Sequence, residues 1–377
     1  MSVQVMPAPV RGRFRAQSER REMVGIGVIG CGRWGGNLVR NFAELGALAA
    51  VSDISPDAAR EYSDAYSVPS PSPSEFFDSD GIDAVAIAVP AEGHAELALR
   101  AIGRGMHVFV EKPIATKFSD AARLVDAARG RGRILMAGHV LRDHPSFVKL
   151  EKTVADGGIG VIRHIESVRG CEPAHYRGES AIWGFAPHDV SMILALMGEL
   201  PNRVEAEKRV DGVLIGPDSV DSTLEFPSGA SCRFKASWLL DDREQRLKVS
   251  GDGGALVFDD CRPWPSKLLR SGNEDEDVGA SADSKLDPVF VAEAEPLKLE
   301  CEHFLDCIET GRRPTTGGRE ALEVMRVLDA MNESARTGGP VFLGDVELGQ
   351  SRPFSENLKK SISASMESPS AHGVSPG

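Results

Sequence analysis

A glycine-rich stretch near the amino terminus has the composition of a phosphate-binding turn. Gly30, Gly32 and Gly35 are spaced as G-x-G-x-x-G, with Arg33 and Trp34 between the last two glycines. The first glycine permits a tight turn, the second lets the backbone approach a pyrophosphate, and the third permits close packing of helix on strand. Free N–H groups at the helix start would then bind the phosphates. Glycines that only build a tight turn are the competing interpretation.

An acidic residue follows at the spacing that a dinucleotide site requires. Asp53 ends the next predicted strand, where a carboxylate accepts hydrogen bonds from the hydroxyls of an adenosine ribose. A carboxylate there repels a 2′-phosphate, so the pattern favours NAD over NADP. The alternative role for Asp53 is to cap the following helix. The cofactor contacts expected in this region are Gly30, Gly32, Arg33, Trp34, Gly35 and Asp53.

A lysine stands at the end of another predicted strand, in the sequence Glu111-Lys112-Pro113. Ligands of open α/β sheets bind beyond the carboxyl ends of the strands, so Lys112 is expected to point at the nicotinamide pocket. A lysine beside a substrate hydroxyl stabilises alkoxide character, or acts as a base when its pKa is lowered. A surface lysine in a loop is the competing interpretation.

His188 and Asp189 begin a strongly apolar predicted helix directly after Pro187. A neutral imidazole can accept the proton of a substrate hydroxyl as hydride leaves the carbon, so His188 is a candidate base. Both side chains could instead serve the helix start by capping and by complementing its dipole. For Asp189 that structural role is at least as well supported as a contact with substrate.

The segment before this helix, residues 169–180, is predicted to be irregular and carries further polar side chains. Loops on a rigid scaffold commonly contact substrates, so Arg169 and Arg177 are expected to do so. Arg177 could form a bidentate pair with a carboxylate or bind a diphosphate. A solvated loop charge is the alternative for this arginine.

The elements before residue 140 are predicted to form a doubly wound parallel sheet. Short apolar runs predict buried strands at residues 23–29, 48–53, 82–89, 106–110 and 134–139. Amphipathic segments between them predict helices, one beginning near Gly35 and another capped by Ser119. This alternation of strand and helix is typical of an α/β Rossmann domain.

The pattern changes after residue 140 to that of an α+β domain with a large, mainly antiparallel sheet. Helices are predicted at 145–154, 188–197, 297–310 and 319–337, and strands at 161–168, 204–210, 222–226, 230–239 and 245–250. The acidic segment 273–287 is expected to be an exposed loop. The predicted division is a disordered extension (1–22), the Rossmann domain (23–140), the α+β domain (141–350) and a disordered tail (351–377).

The composition argues against several classes of protein. The 377 residues carry a net charge of −13 without a basic stripe, which disfavours nucleic-acid binding. No run of 18 apolar residues exists to span a membrane. The first 22 residues lack the apolar core of a secretory signal, and the start at Met23 is an alternative to a disordered extension. Six cysteines without a CxxC pair or a histidine at ligand spacing predict reduced thiols, no metal centre and a cytoplasmic location.

Together these motifs resemble the Gfo/Idh/MocA family of oxidoreductases. The resemblance rests on GVIGCGRWG, on Val89-Pro90 followed by His94, and on the EKP sequence at Lys112, and it extends over about residues 23–343. It implies that the lysine lies close to the reacting carbon of a sugar, and that the second sheet forms a subunit interface in a homodimer or homotetramer. The further cofactor contacts that it implies are Pro90, His94, Glu111 and Lys112.

Two segments are similar to one branch of that family, the WlbA-like dehydrogenases that oxidise C3 of UDP-N-acetylglucosamine or its uronic acid. They are IWGFAPHDVSMIL at 182–194 and GHVLRDHPSFVKL at 138–150. The commoner family pattern has an aspartate where this chain has Gly184, which leaves Lys112 and His188 as the acid/base candidates. The implied substrate contacts are Arg169, Arg177, His188 and Asp189. Alternatives are a free-sugar or inositol-type dehydrogenase, a sugar ketoreductase, and a non-catalytic NAD-binding regulator.

Overall fold

The computed structural model describes residues 24–176, 178–210, 218–271 and 286–344. The predicted extension and tail lie outside the described residues, as do Arg177 and most of the acidic segment 273–287. Among the helices of the described part, none is long and apolar enough to cross a membrane.

A five-stranded parallel sheet forms the first half of the molecule, which confirms the predicted Rossmann architecture. Its strands are β1 (Ile26–Ile29), β2 (Leu48–Ser52), β3 (Ala84–Ile87), β4 (His107–Glu111) and β5 (Leu135–Gly138). They lie in the order β2-β1-β3-β4-β5. Every residue of β1, β3 and β5 is buried. Because helices cover both faces of such a sheet, its strands are continuous apolar runs that sequence analysis can find.

The helices of this half depart from prediction in two places. The helices are α1 (Arg33–Glu44), α2 (Pro56–Tyr66), α3 (His94–Gly103) and α4 (Phe118–Arg131). Sequence analysis missed α2 because Ala59 is its only buried residue, so the helix has no broad apolar stripe. The prediction that Ser119 caps α4 was wrong, since Lys117 occupies the N-cap position and Ser119 lies inside the first turn.

A nine-stranded sheet forms the second half. Its strands are β6 (Ile162–Gly170), β7 (Arg203–Val210), β8 (Asp218–Glu225), β9 (Ser231–Ser237), β10 (Glu244–Gly251), β11 (Gly254–Asp259), β12 (Leu268–Ser271), β13 (Asp287–Pro288) and β14 (Val341–Phe342). They lie in the order β13-β12-β11-β10-β6-β9-β8-β7-β14. Among the described strands of this sheet only the central β6–β9 pair is parallel, so the predicted mainly antiparallel sheet is confirmed. The strands β11 to β14 were not predicted.

The remaining helices connect the two sheets. They are α5 (Pro145–Ala155), α6 (Ala181–Gly184), α7 (Ala186–Met197), α8 (Pro296–Thr310) and α9 (Gly318–Thr337). Helix α8 returns to the first sheet, where Phe304 packs against Phe109 with ring centroids 5.8 Å apart. Helix α9 places Met325 in the core of the first sheet and Met331 in the core of the second. The two halves therefore share buried helices, which fix the cleft between them.

Candidate active site

The glycine-rich turn between β1 and α1 needs each of its glycines for a different reason. Gly30 has φ +94°, and a Cβ there would lie 2.6 Å from the carbonyl oxygen of Ala88. A Cβ on Gly35 would lie 1.8 Å from the carbonyl oxygen of Gly30. No atom lies within 4 Å of the corresponding position on Gly32. The open space over Gly32 is a cradle in which a pyrophosphate can approach the backbone.

The start of α1 and the carboxylate of Asp53 complete this cradle. The helix begins at Arg33 without a side-chain cap and without an acidic residue in its first turn, so its N–H groups suit an anion. The Asp53 carboxylate accepts hydrogen bonds from the backbone N–H of Cys31 at 2.7 Å and of Ser55 at 2.8 Å. Ser55 occupies the N-cap of α2, so the capping alternative for Asp53 was wrong. These residues fit a nicotinamide dinucleotide.

A cavity of about 500 Å³ lies between the two sheets, next to this turn. Its size is typical of a small-molecule site. The first half of the chain contributes predicted cofactor and catalytic residues to its wall: Trp34, Pro90, His94, Glu111 and Lys112. The second half contributes two predicted residues, Arg169 and His188, and several that were not predicted, among them Glu179, Phe185, Arg243, Gln245 and Asp260.

Lys112 is held at the cavity by a backbone oxygen. It directly follows β4, and its Nζ donates a hydrogen bond to the carbonyl oxygen of Gly184 at 3.2 Å. Gly184 stands four residues before His188, so this bond brings the lysine to the start of α7. A Cβ on Gly184 would lie 3.1 Å from Cζ2 of Trp238. A side chain at this position would therefore require the buried indole to shift slightly.

His188 has the electrostatic surroundings of a neutral proton acceptor. Burial, together with the nearby charges of Lys112 and Arg169, lowers the pKa of His188 well below its ordinary value near 6.5. The imidazole is therefore neutral at pH 7. Its Nδ1 is buried and has no hydrogen-bond partner among the described residues. A neutral ring on the cavity wall can accept a proton from a hydroxyl group.

Asp189 lies behind the cavity wall, where it pairs with Arg169. Asp189 is fully buried and accepts hydrogen bonds from Nε of Arg169 and from Oγ of Ser167, the latter at 2.6 Å. Arg169 belongs to strand β6, so its assignment to an irregular segment was wrong. The arginine lines the cavity, whereas Asp189 anchors the first turn of α7 to β6. The pair thereby positions His188.

Glu111 lies beneath Trp34 in a buried acidic pair. The indole Nε1 of Trp34 donates a hydrogen bond to Oε1 of Glu111. Burial raises the pKa of Glu111 to about 7. Glu300 of α8 is fully buried, both its oxygens lack a hydrogen-bond partner among the described residues, and burial with the charge of Glu111 raises its pKa well above normal. At neutral pH this pair therefore retains a proton.

His94 connects the turns that follow β3 and β4. Its Nδ1 lies 2.7 Å from the carbonyl oxygen of Pro113, and its Nε2 lies 2.8 Å from that of Val89. The ring is buried, with 1% of its surface exposed. Because Pro113 adjoins Lys112, His94 fixes the backbone that carries the lysine.

A polar group on the second sheet was missed by sequence analysis. Arg243 directly precedes β10 and Asp260 directly follows β11, and both lie on the cavity wall. Burial alone would raise the pKa of Asp260, but hydrogen bonds from His144 and Lys267 lower it to about 2. The only signal in the sequence would have been the position of these residues at strand ends, and β11 itself was not predicted.

One cluster departs from the expected absence of cysteine–histidine pairs. Cys171, Glu172 and His175 bring potential ligand atoms within 4.8 Å of one another, so the statement that no cysteine has such a histidine was wrong. Three ligands in a short surface turn are fewer than the four of a structural zinc site.

Two family models match consecutive parts of the chain. Residues 24–139 match the oxidoreductase family with an NAD-binding Rossmann fold, and residues 147–257 match the Gfo/Idh/MocA C-terminal domain. Together they span more than half of the sequence. The chain belongs to the Gfo/Idh/MocA family.

Relatives of this Gfo/Idh/MocA protein act on several sugars and polyols. The myo-inositol 2-dehydrogenase of Thermotoga maritima is 29% identical, with 78% of this chain and 91% of that protein covered. The aldose-aldose oxidoreductase of Caulobacter crescentus superposes with a TM-score of 0.74 at 25% identity, over 85% of this chain and 100% of the other. The UDP-N-acetylglucosamine 3-dehydrogenase GnnA of Acidithiobacillus ferrooxidans shares the fold, with a TM-score of 0.73 at 22% identity, over 84% and 98%.

These findings place the chain among nicotinamide-dependent oxidoreductases that act on CH–OH groups. Inositol dehydrogenases are as prominent among the relatives as the nucleotide-sugar enzyme. The family alone therefore gives a sugar or polyol dehydrogenase.

Proposed function

We propose that this enzyme uses NAD to oxidise a secondary alcohol of a nucleotide-linked amino sugar. The proposed position is C3 of UDP-N-acetylglucosamine or of its glucuronate form, which gives a 3-keto sugar. The observation that carries the reaction is the meeting of Lys112 and His188 at one cavity wall beside the glycine-rich turn. The observations that favour the substrate are the resemblance around His188 and, in the same cavity, Arg243, which forms no ion pair among the described residues.

His188 and Lys112 have different roles at the hydroxyl group of the substrate. His188 is neutral and accepts the hydroxyl proton, because burial and nearby positive charge disfavour its protonated form in the free enzyme. Lys112, oriented by the carbonyl of Gly184, donates a hydrogen bond to the oxygen as negative charge develops on it. The nicotinamide of bound NAD supplies the hydride acceptor. The Arg169–Asp189 pair keeps α7 in place during this transfer.

The preference for NAD over NADP rests on Asp53. Its carboxylate lies 2.7 Å from the N–H of Cys31, at the edge of the phosphate cradle, where it would accept the ribose hydroxyls and repel a 2′-phosphate. Calorimetric titration with both cofactors tests this preference. We expect Asp53→Ser to weaken NAD binding and to narrow the difference between the two cofactors. Equal affinities in the wild type would contradict the proposal.

Arg243 supports an anionic substrate. It is exposed at the cavity wall and forms no ion pair with a carboxylate of the described residues. A guanidinium in that state suits a diphosphate or a uronate carboxylate. We expect Arg243→Leu to raise the KM for a UDP-sugar and to leave turnover of free polyols unchanged. Arg131→Leu is the matched control, because Arg131 is an exposed arginine of α4 that does not line this cavity.

The second candidate is an inositol-type dehydrogenase, which the inositol 2-dehydrogenases among the relatives favour. A screen for NADH formation with UDP-N-acetylglucosamine, its glucuronate form, myo-inositol and scyllo-inositol separates the two. Turnover of an inositol without turnover of UDP-sugars would replace the nucleotide-sugar proposal. Cofactor binding without turnover of any of them would favour the non-catalytic regulator. We also propose a cytoplasmic location, which agrees with six cysteines that form no disulfide bond among the described residues.

A further inference from the structure

We propose that His139 completes a proton pathway that carries the substrate proton from His188 into a second cavity behind the active site. This inference rests on the proposed role of His188 as the base. It assigns a part in the reaction to a residue that does not line the first cavity and that has no assigned role in the motifs.

A single turn of chain separates the two cavities. After β5, Val140 and Leu141 line the active-site cavity, whereas His139 and Arg142 line a second cavity of about 300 Å³. The two cavities therefore lie on opposite sides of this 3-10 turn, Val140–Asp143, and of the residue before it. His139 is therefore part of the wall between the cavities, and it is 4% exposed.

The sheet register places His139 beside the catalytic lysine. Strands β4 and β5 are parallel neighbours, and Glu111 pairs with Gly138. The next residue of each strand, Lys112 and His139, therefore leaves the sheet at the same level. The charge of Lys112 acts on His139, and both act on His188, so the three side chains form one electrostatic group.

Each of the two histidines has a ring nitrogen that suits the proposed proton transfer. In both His139 and His188, Nδ1 is buried and has no hydrogen-bond partner in the described ranges. Buried ring nitrogens normally have a partner, so these two atoms point to an ordered water that bridges the two rings. The Nε2 atoms do not belong to this group of fully buried atoms without a partner. One nitrogen of each ring therefore remains for the cavity that the ring lines.

The number of protons on each ring is the same before and after the transfer, so neither histidine is charged at its end. The substrate O–H bond breaks and its proton binds Nε2 of His188, while NAD, when bound, would accept the hydride. The proton on Nδ1 of His188 moves to Nδ1 of His139, whose Nε2 releases its own proton into the second cavity. Burial and the positive charges of Arg142 and Lys112 lower the pKa of His139 to about 3, so both rings stay neutral before and after the transfer.

The second cavity has the polar lining that a proton exit needs. Oγ of Ser191, Oγ1 of Thr316 and Nε of Arg142 are buried there without hydrogen-bond partners among the described residues. A polar cavity of this kind suits ordered water. Glu320 also lines it, and burial raises the pKa of its carboxyl above its ordinary value.

Kinetics of two His139 variants test the pathway in the full-length enzyme with the substrate that the screen identifies. We expect His139→Gln to lower kcat by on the order of 10²-fold, with the KM for NAD unchanged and the solvent deuterium isotope effect increased. Added imidazole should restore part of the activity of His139→Ala. His303→Gln, which changes a histidine of α8 outside both cavities, should leave kcat unchanged. Unchanged kcat in His139→Gln, or a loss that imidazole does not rescue, would overturn the proposal.

An NMR measurement tests the coupling between His139 and His188 without any substrate. In the enzyme labelled with ¹⁵N-histidine, His139→Gln should shift the Nδ1 resonance of His188 and change its tautomer population, whereas His303→Gln should not. An unaffected His188 would overturn the proposal. Absence of turnover with every sugar tested would instead count against the proposed function, and the NMR result would still stand.

Discussion

At the scale of single residues, the site depends on buried groups that fix a small number of reacting atoms. Lys112 is oriented by the carbonyl of Gly184, and Trp238 packs against this glycine. His188 is fixed through its neighbour Asp189. The sequence indicated Lys112 and His188 because each follows a recognisable pattern, but the pairing of Arg169 with Asp189 brings together residues of different elements, which no local pattern reports.

The Arg169–Asp189 pair should be important for stability. Asp189→Asn leaves the Arg169 charge buried without its partner, which costs about 3–5 kcal/mol of unfolding free energy. Chemical denaturation of the variant measures this loss. The double variant Arg169→Met/Asp189→Leu should recover much of it, because no buried charge remains. A loss below about 1 kcal/mol in Asp189→Asn, as for an exposed pair, would contradict the burial of this interaction.

The Glu111–Glu300 pair predicts a pH dependence of stability. Burial raises the folded-state pKa of both carboxyls, that of Glu111 to about 7, whereas the unfolded value lies near 4.5. The folded state therefore binds more protons within this window, and its stability falls as pH rises from about 4.5 through 7. We expect Glu300→Gln to reduce this fall and to raise the unfolding free energy at pH 8 by about 1 kcal/mol or more. Glu302→Gln, at an exposed position of the same helix, should keep the pH profile of the wild type.

At the scale of elements, two glycines in the turn between β1 and α1 have different roles: Gly32 serves cofactor binding, and Gly35 serves folding. Gly32→Ala adds a methyl group where no protein atom lies within 4 Å, so we expect an unchanged melting temperature and weaker NAD binding. Gly35→Ala places the methyl group against the carbonyl of Gly30, so we expect a lower melting temperature even without cofactor. Thermal melts and calorimetry of both variants check this. Equal NAD affinity in Gly32→Ala and the wild type would mean that the pyrophosphate does not approach this glycine.

Sequence analysis found the elements whose burial produces a recognisable pattern of apolar residues. The strands β1 to β5 are apolar on both faces, and α7 has a long apolar run. Helix α2 was missed because one buried residue gives no stripe, and β13 and β14 were missed because two residues give no alternation. Arg243 and Asp260 reach the site only through the pairing of β10 and β11 with the rest of the sheet. Such contacts follow from topology, which local patterns do not contain.

At the scale of the whole molecule, α8 and α9 hold the two sheets together around the site. Met325 and Met331 place α9 in both cores, so this helix joins the two halves that line the cleft containing Lys112 and His188. The predicted boundary at residue 140 falls in the turn between the cavities. That turn is therefore a functional wall as well as a connection between domains.

The exposed face of the second sheet is proposed to pair with another copy of the chain. Glu205 and Glu207 of β7 lie on one side of a surface groove, and Arg233 and Lys235 of β9 lie two strands away. A two-fold interface can match such opposite charges. Light scattering should give a dimer or tetramer, and Arg233→Glu/Lys235→Glu should shift it towards monomer. A monomeric wild type at assay concentrations would contradict this assembly.

The central claim is that NAD oxidises a sugar hydroxyl in this site, with His188 as proton acceptor and Lys112 as hydrogen-bond donor to the oxygen. It is tested most directly by the rate of NADH formation from UDP-N-acetylglucosamine or its glucuronate form, for the wild type and for Lys112→Met, His188→Gln and the exposed control Lys117→Met. We expect NADH from the wild type and the control, and rates lower by on the order of 10²- to 10⁴-fold in the other two, with NAD binding retained. NADH formation at the wild-type rate in Lys112→Met and His188→Gln would contradict the account.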